Sequence, residues 1–164
     1  MNSDLEDRQK FRKKEYWDER FLEEEQGNKK QHEWFSTYSD FRHIVTKISP
    51  PKITRNILVL GCGNSTLSAD LLSDYTNSII TSHDYSSVVI NSMSKKYEKE
   101  KRLKWEVCDC RKIPASQEFD LIIEKGVVDA LVAGSRSPWS HLAHPRCSGR
   151  SPRAARPCGA PRTG

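Results

Sequence analysis

The run Asn56-Ile-Leu-Val-Leu-Gly-Cys-Gly-Asn-Ser65 constrains the fold more than any other stretch of the chain. Four consecutive apolar residues have strand character and stop abruptly at a Gly-Cys-Gly turn. A helix-like segment over 67–75 follows at once. The glycines let the backbone reverse sharply and come close to a ligand, where a β-carbon would obstruct. The helix start then presents unpaired N–H groups. Strand, glycine turn and helix start together form the first unit of a nucleotide-type site.

The pattern continues downstream. A second strand, 78–82, ends at His83-Asp84, and a helix over 87–101 follows with Ser86 or Ser87 as its N-cap. A third strand, 103–108, ends at Asp109, and a fourth, 119–124, ends at Lys125-Gly126. Strands alternating with helices mean an α/β fold with a parallel sheet and crossover helices. Upstream, Trp17 and Phe21 stand four apart on one face of a charged helix that stops at Gly27-Asn28. A second helical stripe is expected over 33–48, from Trp34, Phe35, Tyr38, Phe41, Ile44, Val45 and Ile48, and Pro50-Pro51 ends it. Three parts result: an aromatic helical segment, 1–50, covering the site; a Rossmann-like core, 51–134; and a tail, 135–164.

Composition explains the tail. The chain has 164 residues, enough for one domain, but only 35% are hydrophobic. Beyond Gly134 the only formal charges are Arg136, Arg146, Arg150, Arg153, Arg156 and Arg162. Without those six, 21 basic residues face 22 acidic ones, so the pI of 9.0 belongs to the tail. Nucleic-acid binding by the folded core is therefore not implied. The Pro- and Arg-rich tail reads as disordered, with nonspecific anion binding as its one chemical option. The five cysteines form no metal-ligand pattern, and Cys108-Asp-Cys110 is too tightly spaced for a zinc knuckle, so no metal is expected. The N-terminus has no apolar leader segment and no run approaches a membrane span, which leaves a cytoplasmic protein as the expectation.

In open parallel sheets the ligand sits beyond the C-terminal strand ends. Gly61 and Gly63 form the turn after the first strand, and Asp84 follows Gly61 by 23 residues. An acid about 20 residues beyond such a turn is placed to accept from ribose hydroxyls; as a plain alternative it caps the next helix. Tyr85 can lie against an adenine face. Asp109 can meet the adenine amino group or be an ordinary loop acid. Lys125, at the fourth strand end, is either a cofactor contact or a partner of Glu124. Trp17, Phe21 and Trp34 are core aromatics by default, with a cofactor role as the alternative.

The choice of ligand follows from what is missing. The nicotinamide fingerprint needs glycine at position 66, where Thr66 stands, and no Gly-Lys-Ser/Thr follows the turn. A single nucleoside without a pyrophosphate fits better. S-adenosylmethionine is such a ligand, and its sulfonium is drawn to tryptophan faces.

EYWDERF, EWF, ILVLGCGNSTLS, DYSSVVI, WEVCDCRKI and FDLIIEKGVVDAL resemble, in that order, segments of the methyltransferase-like 13 group of seven-β-strand methyltransferases. The resemblance covers about residues 15–139. It implies a Rossmann-like class I S-adenosylmethionine-dependent fold and lysine methylation of a protein substrate, translation elongation factor 1-alpha. By motif it implies cofactor contacts at Trp17, Phe21, Trp34, Gly61, Asp84, Tyr85, Asp109, Cys110 and Lys125. Family members commonly have Thr-Leu where Val127-Val128 stands. They also continue into strands five to seven, none of which is recognisable here, so the fold is expected to be incomplete and strand four an exposed edge. No catalytic base is assigned; Glu124 or Asp129 are candidates for orienting the incoming amine. Two alternatives stay open: a truncated isoform without turnover, and a Rossmann enzyme using another nucleotide.

Overall fold

The computed structural model describes residues 8–29, 33–113 and 117–133, so the expected tail, 135–164, lies outside the described residues. Four strands form one parallel sheet: β1 (Asn56–Leu60), β2 (Ile79–Asp84), β3 (Leu103–Val107) and β4 (Leu121–Glu124). Their order is β3-β2-β1-β4, so the chain reverses direction across the sheet between β1 and β4. Such a reversal opens a crevice at the strand ends. The central β1 has Ile57, Leu58 and Val59 buried, as a strand covered on both faces requires. Among the described residues strand four forms an edge, as expected, and Ile122 on it is 55% exposed.

The helices are α1 (Lys14–Glu25), α2 (Tyr38–Ile48), α3 (Leu67–Leu71), α4 (Ser87–Lys96) and α5 (Val127–Val132). Helix α1 ends as the glycine signal predicts. Gly27 sits at φ 74°, its N–H donates to the Glu24 carbonyl, and the Asn28 N–H donates to the Glu23 carbonyl at 2.9 Å. Ser86 caps α4, accepting from the Val89 N–H. One core joins Ile57, Val59, Ile80, Leu103 and Ile123 of the sheet to Leu67, Leu71, Tyr75, Val89, Ile90 and Met93.

Several boundaries differ from expectation, each for a physical reason. Helix α2 begins at Tyr38 rather than residue 33, because 33–37 is irregular and bends at Phe35, which sits at φ 64°. A left-handed phenylalanine is costly and persists only where neighbours fix it. Helix α3 stops at Leu71, where Ser73 turns its hydroxyl back onto the Asp70 carbonyl. Helix α4 stops at Lys96, since Tyr97 leaves helical geometry and stacks on Trp105 at 5.8 Å. Strand β4 starts at Leu121. Asp120 accepts from the Arg55 and Asn56 N–H groups at 2.7 and 2.8 Å, and Phe119 lies edge-on to His83.

Candidate cofactor site

The C-terminal strand ends open into a cleft of about 550 Å³. Its floor is the glycine turn, with Gly61 at φ 54° and Gly63 at φ 50°. Both angles are left-handed, so side chains there would be strained. At Gly61 a second constraint acts: a β-carbon would stand 1.9 Å from Val127 Cγ2. This glycine therefore makes room for α5, a need the turn pattern alone does not disclose. Between them Cys62 is buried and its N–H donates to the His83 carbonyl, extending the sheet hydrogen bonding into the turn. Burial pushes the Cys62 thiol well up, so it is an inert core group.

Asp84 joins the turn to the second strand. It is 6% exposed; Oδ2 accepts from the Gly63 N–H at 3.0 Å and Oδ1 from the Ser86 N–H at 2.9 Å. Burial raises its carboxyl above the ordinary value, and the backbone N–H bonds offset only part of that. Each oxygen retains acceptor capacity, and further donors from a ligand would complete a carboxylate held in this state. Ser86 rather than Asp84 caps α4, and Asp84, which lines the cleft, ties that cap residue to the glycine turn.

The other expected residues also line the cleft, with different partners from those anticipated. Tyr85 is partly buried and its phenol is pushed up by burial and by Asp84. Asp109 forms a forked pair with Arg111, at 2.7 Å for Nη2 to Oδ2, and also accepts from the Arg111 N–H. Those bonds hold the Asp109 carboxyl below its ordinary range. Cys110 begins a single 3-10 turn, and burial pushes its thiol up.

Lys125 is the clearest departure. Its Nζ donates to Glu33 Oε1, to the Trp34 carbonyl at 2.9 Å and to the Ser36 carbonyl at 3.2 Å. An ammonium has three donors, so all are engaged. Lys125 straps 33–36 across the cleft, and Glu124 is not its partner. Glu124 instead caps α5, accepting from the Val127 and Val128 N–H groups. Asp129 lies on the cleft wall.

The core role holds for Phe21 and, more loosely, for Trp17, which packs against the core. Phe21 belongs to the core, and its ring lies 3.5 Å from where a Gly63 β-carbon would be. Trp17 stands 5.9 Å from both Phe21 and Trp34, and its Nε1 donates to the Phe11 carbonyl at 2.7 Å. All three rings face the cleft.

Sequence reasoning missed Glu33, Arg20 and Glu24. Glu33 accepts from the Ser65 hydroxyl at 2.8 Å as well as from Lys125, so it ties the glycine turn to the fourth strand end. No periodicity marks such a residue. Arg20 and Glu24 stand at i, i+4, which sequence does show, but nothing there indicates that the pair is buried. Among the described residues, no cluster of three His, Cys, Asp or Glu is placed to hold a metal ion, and no helix is long and apolar enough to cross a membrane.

A nucleoside with an amino-acid extension suits this cleft in volume, in its paired carboxylate and aromatic walls, and in one orphaned buried oxygen on Glu24. Residues 57–136 match the family described as "Methyltransferase domain". Over 132 residues, 79% of this chain, it is 39% identical to EEF1A lysine methyltransferase 4 from Mus musculus, covering 49% of that protein. The Bos taurus protein of the same name is equally similar, at 39% over the same shares. The Homo sapiens eEF1A lysine and N-terminal methyltransferase is 33% identical over 72% of this chain and 16% of its own length. The chain thus spans about half the length of the first two relatives. The glycine turn, the four parallel strands and these matches agree on a methyltransferase domain of Rossmann-like α/β form, matched over residues 57–136.

Proposed function

We propose that the protein is an S-adenosylmethionine-dependent protein-lysine N-methyltransferase acting on translation elongation factor 1-alpha. The observation that carries the reading is the bond from the Gly63 N–H to Asp84 at 3.0 Å, which unites the glycine turn and the second-strand acid on one cleft floor. Relatives named as EEF1A lysine methyltransferases support the acceptor class and the protein substrate.

When bound, S-adenosylmethionine would supply a methyl group on a cationic sulfur leaving group, for transfer to a neutral lysine amine. The protein's share is alignment and exclusion of water. In this reading Asp84 accepts from the ribose hydroxyls, and Tyr85, Asp109 and Cys110 border the adenine. Trp17, Phe21 and Trp34 surround the sulfonium, whose charge favours aromatic faces. Lys125 acts at one remove by holding Trp34 in place. The apolar walls lower the pKa of a target lysine from about 10.4 and so favour its neutral amine. The same proposal puts the protein in the cytoplasm, where translation runs; fractionation with the protein confined to another compartment would refute that part.

Calorimetric titration with S-adenosylmethionine and with NAD tests the cofactor; binding of NAD alone would overturn the reading. Labelled cofactor with purified elongation factor then tests transfer. A second reading, cofactor binding without turnover, is favoured by the exposed Ile122 on edge strand β4. Binding with no labelled product selects it.

A further inference from the structure

We infer that Arg20 and Glu24 of helix α1 form a zwitterion clamp that recognises the α-carboxylate and α-ammonium of the cofactor's amino-acid end. The inference rests on the proposed S-adenosylmethionine reading and extends it to a pair of residues that no motif assigns.

Helix α1 crosses the strand ends in a fixed register. At one point Asp18 accepts from the Ser86 hydroxyl at 2.5 Å, just beyond β2. Further along, Glu24 Oε2 accepts from Asn64 Nδ2 at 2.6 Å, in the glycine turn after β1. Arg20 and Glu24 therefore stand over the turn, one strand away from Asp84 and two from Asp109, given the order β3-β2-β1. A ligand with its base at Asp109 and its ribose at Asp84 extends its remaining atoms toward that pair.

The chemistry of the pair is unusual for a helix surface. The Glu24 side chain is 3% exposed and lines the cleft. Its Oε1 lies 2.9 Å from Arg20 Nε in ion-pair contact but receives no aligned hydrogen bond, so it is buried without a donor. A buried carboxylate oxygen in that state is expensive, and an ammonium group supplies the missing donor. Arg20 is held from two sides, by Glu24 and by the Trp34 ring 5.4 Å from its guanidinium. Among the described residues its two Nη groups meet no acceptor, and they form the planar fork that suits a carboxylate. One positive and one negative group, held side by side and largely withdrawn from solvent, match the two ends of an α-amino acid in charge.

The test uses the full chain and three ligands: S-adenosylmethionine, decarboxylated S-adenosylmethionine and methylthioadenosine, which lacks the amino-acid end altogether. Decarboxylated ligand is expected to bind the unaltered protein at least tenfold more weakly than S-adenosylmethionine, which needs no variant. Arg20→Gln should weaken S-adenosylmethionine by at least tenfold and leave the decarboxylated ligand and methylthioadenosine within twofold. Glu24→Gln should weaken both ligands that carry the ammonium. Equal weakening of all three by Arg20→Gln, or equal affinity of the unaltered protein for all three, overturns the clamp while leaving the cofactor reading intact. Failure of the unaltered protein to bind any of them overturns both.

Discussion

The two faces of the sheet are built on different terms. On one face the rows Ile57, Ile80, Leu103, Leu121 and Val59, Ser82, Trp105, Ile123 lie side by side in register and meet the helices of the core. The opposite face carries Leu58, Thr81, Lys104, Ile122 and then Leu60, His83, Glu106, Glu124. Its centre is buried, but Lys104, Glu106, Ile122 and Glu124 on the edge strands are exposed. His83, 1% exposed on this face, leaves Nδ1 without a partner among the described residues while Nε2 meets Glu106 at 3.1 Å. The first face is a finished core; the second has polar and open margins. The cleft lies at the strand ends, where it depends on the first face for rigidity and on neither for its chemistry.

The strongest break of this comparison is Ile80→Ala, which empties a fully buried position in the first face. It should cost about 3 kcal/mol by denaturant unfolding. A loss below 1 kcal/mol would mean that the first face is not the stabilising one. Next in size is Asp74, which ties α2 to the end of α3 by accepting from Arg42 Nε at 2.6 Å and from the buried Tyr38 hydroxyl at 2.8 Å. Asp74→Ala strands that hydroxyl and should cost about 1–3 kcal/mol. The pH sign follows from Arg42, whose hydrogen bonds, with a smaller contribution from Tyr38, hold the Asp74 carboxyl below 3.8 against the opposing pull of burial. The ion-pair contribution is present above that value and is lost as pH falls through the lowered one. Stabilities of the unaltered protein and Asp74→Asn should therefore differ near neutrality and converge in acid; a constant gap would remove Asp74 from this role.

At the cleft, Asp84→Ala should weaken S-adenosylmethionine by at least tenfold, about 1.4 kcal/mol. The carboxyl of Asp84 is raised by burial, so its ionised, accepting form is lost on acidification sooner than for an ordinary aspartate. Affinity of the unaltered protein should fall as pH drops through that raised value, while Asp84→Ala shows no such fall. Parallel pH profiles would place the titration elsewhere.

What sequence shows and hides divides along similar lines. Strand ends were legible to within about two residues, because each apolar run gives way to a glycine or a charged residue: Gly61, Asp84, Asp109 and Lys125. The parallel direction of the strands followed from alternation alone, and their order did not. The course of 33–37 was not legible. Trp34 and Phe35 fit a helical stripe, but the carbonyls of Trp34 and Ser36 are taken by Lys125, 91 residues beyond Trp34, and that bond overrides local preference. Lys125 was thus legible as a cleft residue, whereas its tie to Glu33, Trp34 and Ser36 was not. The bonds that Glu124, a candidate for orienting an amine, accepts from the Val127 and Val128 N–H groups at the start of α5 were not legible either. Burial of Glu24 depends on where α1 crosses the turn, and spacing along a helix carries no record of that.

The smallest expected effect isolates the second face. Ile122 is half-exposed on edge strand β4, beside Ile123, which is buried in the core on the other face. Ile122→Thr keeps a β-branched residue in the strand, so β-propensity is preserved and only the apolar surface changes. Stability should move by less than about 0.5 kcal/mol, as for substitutions outside a core. Association is the sensitive readout, because an unpaired edge strand with exposed isoleucine favours pairing between copies. Sedimentation over a concentration series should show weaker self-association for the variant at unchanged cofactor affinity. A stability loss like that of Ile80→Ala would show that the second face is packed as tightly as the first. Association unchanged by the substitution would move the contact away from β4, because Ile122 is the apolar side chain this edge strand exposes most fully.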